Sequence, residues 1–224
     1  MAMMTNLFSV FDPASSLGAS LNWISMSLGI LILPSMKWSI NSRWLGLIVL
    51  IFKKMYQEVK PIMSKEGKIT SIIFMALFLF ILFNNILGLV PYVFTATSHF
   101  MITFSLALPL WLGYFSFGWV KDFKWMMAHL MPQGTPTVLM PFMVLIESVS
   151  SLIRPGTLAV RLMANMIAGH LLLTLVSSAI QVFSIYSVMG VVLAQVMLVV
   201  LEVAVAAIQS YVLVVLSVLY SSEV

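Results

Sequence analysis

The sequence predicts an all-α integral membrane protein, and two observations carry that prediction. Hydrophobic residues fill 62% of the 224 positions and charged residues 8%, against roughly 45–50% and 25% in soluble domains; the mean hydropathy is +1.10. The apolar residues also run in uncharged stretches that reach the roughly 20 residues a helix needs to cross a bilayer. No long polar segment interrupts them, so residues 1–224 read as one membrane domain. About five membrane-crossing helices and one surface helix are expected.

Residues 14–36, ASSLGASLNWISMSLGILILPSM, carry no charge and form the first span. Its serines make it only moderately hydrophobic, and Pro34 suits its end. Residues 37–68 hold seven of the eleven basic residues: Lys37, Arg43, Lys53, Lys54, Lys60, Lys65 and Lys68. The apolar run there, 44–52, is too short to cross. Trp44, Leu47, Ile48, Ile51, Met55 and Val59 recur every three or four residues, the mark of an amphipathic helix on the membrane surface. Its lysines put this segment on the positive, cytoplasm-like side and suit anionic lipid rather than nucleic acid. The N-terminus then lies on the other side.

Residues 69–120 contain no charged side chain. They read as a helical hairpin, 69–94 and 98–120, reversing through VPYVFTATSH at Pro91. Lys121, Asp122 and Lys124 bring the chain back to the positive side. Trp111, Tyr114, Trp119 and Trp125 fit an interfacial belt. After the break MPQGTPTVLMP, Thr135 suits an N-cap and Pro136 a first helical turn. From there to Tyr220 only Glu147, Arg154, Arg161 and Glu202 are charged. A reversal near 177–187 divides this stretch into helices over 136–178 and 183–222. Each would be about 60 Å long, twice the roughly 30 Å of a bilayer core. They must tilt strongly, kink at Pro155-Gly156, or run partly along the membrane.

Several chemistries are excluded early. There is no cysteine, hence no disulfide, thiolate site or cysteine nucleophile. No glycine-rich phosphate loop is present, so no nucleotide is expected to bind directly. The three histidines have no spacing suited to a metal or haem, and no G-x-S-x-G occurs. No cofactor is expected. The N-terminal residues lack the basic region of a signal peptide and the Arg-rich character of a transit peptide, so the chain reads as inserted where it is made. The 18 methionines fit either a biased code or a soft packing surface.

The polar residues inside the apolar stretches carry the functional reading. Arginine stays charged, and near a bilayer centre it costs at least about 2.5 kcal/mol unless partnered or hydrated. Glu147 and Arg154, fourteen and seven positions before Arg161, lie near its helical face, and Asn165 is adjacent. His170 points to nearly the opposite side. On the last helix Gln195, Glu202 and Gln209 are spaced by seven and share a face, with Tyr220 close to it. Carboxylate, imidazole and amides in hydrocarbon suggest a proton route.

Structural readings compete at every position. Arg161 can be an ion pair with Glu147 or Glu202, or two arginines can neutralise two glutamates in a static bundle. His170 can be a packing histidine, and Glu202 a purely structural partner. Gln195 and Gln209 can be interhelical glue. Arg154, beside Pro155, reads as structural, and Asn84 and Asn85 as packing amides. His99 and His129 read as wet surface residues. A proton-coupled transporter or a structural membrane subunit also remains, although no repeat of the transporter kind is visible.

Five stretches resemble one family: ILFNNILGLVPYVFT (81–95), LALPLW (106–111), MPQGTPTVLMPFMVLIES (131–148), IRPGTLAVRLMANMIAGHLLL (153–173) and LEVAVAAIQSYVL (201–213). They are similar to the a subunit of the F-type ATP synthase in its mitochondrial form. The order and spacing of the blocks match from about residue 70 onward, while the N-terminal third matches mainly in layout. The specific core is R-L-x-A-N-x-x-A-G-H followed by E-x-x-x-x-x-x-Q. Met163 departs from the family, which often has Thr or Phe there.

The resemblance implies a non-catalytic proton-channel subunit beside a rotating c-ring, with other membrane-sector and peripheral-stalk subunits around it. Two offset aqueous half-channels would reach the ring. Arg161 matches the arginine that favours the deprotonated ring carboxylate and blocks leakage. His170 and Glu202 match the relay from the intermembrane space; bacterial relatives exchange the acid and base at these places. Gln209 and Asn165 match polar residues near the arginine, and Glu147 a carboxylate of the matrix-side half-channel. The resemblance also implies the mitochondrial inner membrane, with the N-terminus toward the intermembrane space and the C-terminus toward the matrix. The long helices would curve along the ring.

Overall fold

The computed structural model describes residues 7–14, 20–31, 42–62, 68–91, 93–131, 136, 139–179 and 185–222. Among these the regular structure is entirely helical. The α-helices are α1 (Ser25–Leu31), α2 (Arg43–Val59), α3 (Lys68–Gly88), α4 (Phe100–Lys121), α5 (Phe123–His129), α6 (Met140–Ala179) and α7 (Ile185–Ser222). Short 3-10 turns occupy Leu7–Phe11, Leu21–Ile24 and Ala96–Ser98.

Four of these helices, α3, α4, α6 and α7, are long and apolar enough to cross a membrane. The chain is therefore a multi-pass membrane protein. The first expected span, 14–36, is described only at Ala14 and from Ser20 to Leu31, where Leu21–Leu31 forms an apolar helix shorter than a crossing. Pro34, Lys37, Lys65, Thr135 and the centre of the 177–187 reversal lie outside the described residues.

The two longest helices have 40 and 38 residues, about 60 and 57 Å at 1.5 Å per residue. Helix α6 continues unbroken through Pro155, which is buried. The uncharged run permits this length because nothing in it forces a stop. Helix α3 packs on α7, α4 on α6, and α6 on α7. Small residues let the backbones approach: Ala107, Ala159, Ala206, Ser71, Ser210 and Ser217 are all buried. The hydroxyls of Ser210 and Ser217 donate to carbonyls three residues earlier, so their polarity is absorbed within α7.

Two apolar clusters fix the bundle. In one, Met55 and Val59 of α2 meet Phe74, Met75 and Phe78 of α3 and Val214 and Val218 of α7. In the other, Ile81, Ala107, Leu158, Ala159, Leu162 and Leu213 join α3, α4, α6 and α7. Burial is uneven. Half of the α3 span is inside the protein, against 11% of the α7 span, so the α6–α7 pair keeps a broad open face.

Helix α2 is capped by Ser42, whose hydroxyl accepts the Leu45 N–H at 3.2 Å. It is a docked helix as well as an amphipathic one, and its register differs from the expected stripe. Leu45, Met55 and Val59 are buried, whereas Trp44 and Leu47 are 52% and 53% exposed. The contact with α3 and α7 sets the rotation of the helix: Ile51, Phe52 and Tyr56 pack against the same cluster, while Trp44 and Leu47 face outward.

Candidate functional site

Three polar features lie along α6, and each has its own surroundings. The first is a cavity of about 20 Å³ between α3, α6 and α7, room for a single water molecule. From α6 it receives Leu162, Asn165, Met166, Gly169 and His170, which recur three or four apart and so form one wall. Helix α7 supplies Glu202, Val205, Ala206 and Gln209 at the same spacing. Helix α3 supplies Asn85 and Leu89.

Burial without bonding marks this cavity. Glu202 is 8% exposed, and neither carboxylate oxygen has a hydrogen-bond partner among the described residues. The same holds for His170 Nε2 and for both amide atoms of Asn85. Unmade hydrogen bonds of this kind are costly. The Glu202 carboxylate lies directly against Gly169, while Phe11 meets the His170 ring edge-on at 6.4 Å.

The second feature lies toward the other end of the bundle. Glu147, Ser151 and Arg154 of α6 face Trp111, Tyr114 and Phe115 of α4, with Met126, His129, Leu130 and Tyr220, around a cavity of about 70 Å³. Arg154 Nη2 pairs with Glu147 Oε1 at 3.2 Å, and its guanidinium lies 5.7 Å from the centre of the Tyr220 ring. About a third of each side chain in this ion pair stays exposed.

Between the two cavities along α6 sits Arg161, on the open face with Ile153, Gly156, Thr157 and Val160. No carboxylate pairs with it among the described residues. A Cβ at Gly156 would meet nothing within 4 Å, so the chain's own surface is low beside the arginine.

The expected residues thus divide into groups. His170, Glu202, Gln209 and Asn165 share the inner cavity, Glu147 joins Arg154 in the second, and Arg161 stands apart from both. Asn165 shares its wall with His170 rather than continuing the stripe of Glu147, Arg154 and Arg161. Gln195 is half-buried but lines neither cavity. Asn85 was read as packing, yet it reaches the inner cavity with both amide atoms unbonded; its neighbour Asn84 donates to the Phe80 carbonyl at 2.9 Å. The only sequence trace of this role is an amide pair in the middle of an apolar span, and that pattern alone does not separate packing from a site. His99 is not a wet surface residue. Its Nε2 is buried, and its ring lies 5.1 Å from Trp23 of the Leu21–Ile24 turn and 5.2 Å from Phe94. His129 is exposed and stacks on Trp125.

The family model of the ATP synthase A chain matches residues 19–222. The chain belongs to that family. It is 55% identical over 223 residues to ATP synthase subunit a of Drosophila melanogaster, covering 99% of this chain and 100% of the relative. ATP synthase subunit a of Aedes aegypti is 53% identical over 225 residues and that of Locusta migratoria 50% over 228, again covering 99% of this chain and all of the relative. Membership makes the chain a membrane-sector subunit of an ATP synthase, in the family that translocates protons.

Proposed function

We propose that the inner cavity is the proton-relay end of one half-channel, and that Arg161 faces a carboxylate of an adjacent c-ring across the open α6–α7 face. One observation carries this reading. The buried carboxylate of Glu202 and the buried Nε2 of half-buried His170 line one cavity without hydrogen-bond partners among the described residues, while the nearest arginine lies on the open face of α6. A group that must take and give up a proton needs spare hydrogen-bonding capacity. A group that must attract a passing carboxylate needs access to it.

In this reading Glu202 and His170 pass protons between the cavity and the ring carboxylate, and Asn85, Asn165 and Gln209 orient a water between them. Arg161 favours the deprotonated ring carboxylate and stops protons from crossing directly. Glu147 belongs to the other half-channel, held by Arg154 at the opposite end of the bundle. Topology supports two offset paths: α6 leads from the Glu147 cavity to the His170 cavity, and α7 leads back to Tyr220. Lys121 and Lys124 lie at the Glu147 end, and by the positive-inside rule they support a matrix-side position for that end and for the C-terminus in a mitochondrial inner membrane. The N-terminus then faces the intermembrane space. Other membrane-sector and peripheral-stalk subunits surround the chain, and anionic lipid contacts its basic face. The subunit has no catalytic role of its own and binds no nucleotide.

The test is Arg161→Ala in the assembled complex. Proton-driven ATP synthesis should vanish while the complex still assembles. Normal coupled synthesis in that variant defeats the reading, and loss of assembly without a specific flux defect favours a structural arginine.

A further inference from the structure

Glycine is a poor helix former, so one in the middle of a 40-residue helix needs a reason. Most helical glycines here show none: a Cβ at Gly46, Gly113, Gly156 or Gly190 would meet nothing within 4 Å. Gly169 is different. A Cβ there would lie 2.8 Å from Glu202 Oε1, 3.0 Å from its Cδ and 3.2 Å from its Cγ. At Gly29 and Gly88 the nearest atoms would lie farther off, at 3.4 and 3.0 Å. The neighbouring atoms belong to a flexible side chain and not to backbone. An added methyl group would therefore displace the carboxylate and leave the helix pair in place.

We propose that Gly169 is a positioning residue: the space left by its missing side chain is the seat of the Glu202 carboxylate. The seat lies on the α6 wall next to His170, within the cavity shared by Asn85, Asn165 and Gln209. It holds the acid of α7 against the helix that carries the imidazole. This inference rests on the reading of Glu202 as a proton carrier.

The experiment is a double-mutant cycle in the complete ATP synthase, reading assembled complex and proton-driven ATP synthesis for Gly169→Ala, Glu202→Asp and both together. Aspartate is shorter by one methylene and withdraws the carboxylate from the contested space. Gly169→Ala alone should leave assembly near normal and lower synthesis roughly tenfold, as small misplacements of reacting groups do. In the Glu202→Asp background the same alanine should cost less than about twofold, the non-additivity expected of residues in contact. A merely structural glycine would lose as much in either background, and that result overturns the inference; so does unchanged synthesis in Gly169→Ala. If Gly169→Ala fails to assemble, recovery of assembly by Glu202→Asp supports the seat, and failure in both backgrounds defeats it. Unchanged proton flux in Glu202→Gln would instead remove the underlying proton-path reading, and this inference with it. A normal dependence on Glu202 beside an additive alanine loss removes this inference alone.

Discussion

Glu147 on α6 has Arg154 3.2 Å away and keeps about a third of its side chain exposed. Glu202 on α7 is buried, with neither oxygen bonded among the described residues. Both are carboxylates on long apolar helices, yet the fold treats them oppositely. The first is balanced by a cation two turns along its own helix. The second is left with unmet hydrogen-bonding capacity beside an imidazole in the same condition. An unmet buried carboxylate is costly, and on the proposed reading its place beside a cavity sized for water keeps it available for proton exchange.

That contrast can be broken. Glu202→Gln keeps the size and removes the titrating group, so proton flux through the membrane sector should fall by about a hundredfold, the low end of what a proton-transfer group contributes. A new carboxylate nearby should restore part of it. Equal flux in variant and parent between pH 6 and 8 would make Glu202 a packing residue and erase the difference from Glu147. Asn85→Leu sharpens the contrast from the third wall. It removes one amide from the cavity without altering α6 or α7, and flux should drop by about fivefold, in line with the loss of the one hydrogen bond proposed to a cavity water. An unaffected flux would return Asn85 to the packing role its sequence context suggested. The smallest effect belongs to the paired side. Arg154→Gln breaks an ion pair that water already screens, so the temperature at which the complex dissociates should reflect less than about 1 kcal/mol. A severe loss of assembly would mean that the Glu147 pair is as much a buried feature as Glu202.

The sequence made some of this legible for physical reasons. The two long helices were readable because the run that encodes them has almost no charge and few breakers. The stripe of Gln195, Glu202 and Gln209 followed from a spacing of seven, although only Glu202 and Gln209 reach the cavity. The rotation of α2 was not readable. A membrane protein turns apolar residues toward lipid as well as toward itself, so Trp44 and Leu47 look like core until α3 and α7 fix which side is covered. Asn85 was not readable as a site residue either. Its approach to Glu202 depends on how α3 packs on α7, a contact between segments far apart in the chain. The choice among ion pairs was open as well: spacing put Glu147, Arg154 and Arg161 on one face, and only the folded arrangement joins Arg154 to Glu147 and leaves Arg161 outward.

That outward guanidinium has a consequence for biogenesis. A newly inserted copy would present a permanent positive charge to hydrocarbon or to whatever water it can draw in, at a cost of at least about 2.5 kcal/mol. Gly156 and Thr157 beside it offer no side chain long enough to shield it. If a c-ring carboxylate faces Arg161, as proposed above, the separated subunit is least comfortable at the surface that docking would cover. Its lifetime before docking should be short, surplus copies should be cleared by membrane proteases, and supply of the chain should be matched in time to supply of the partner that covers Arg161.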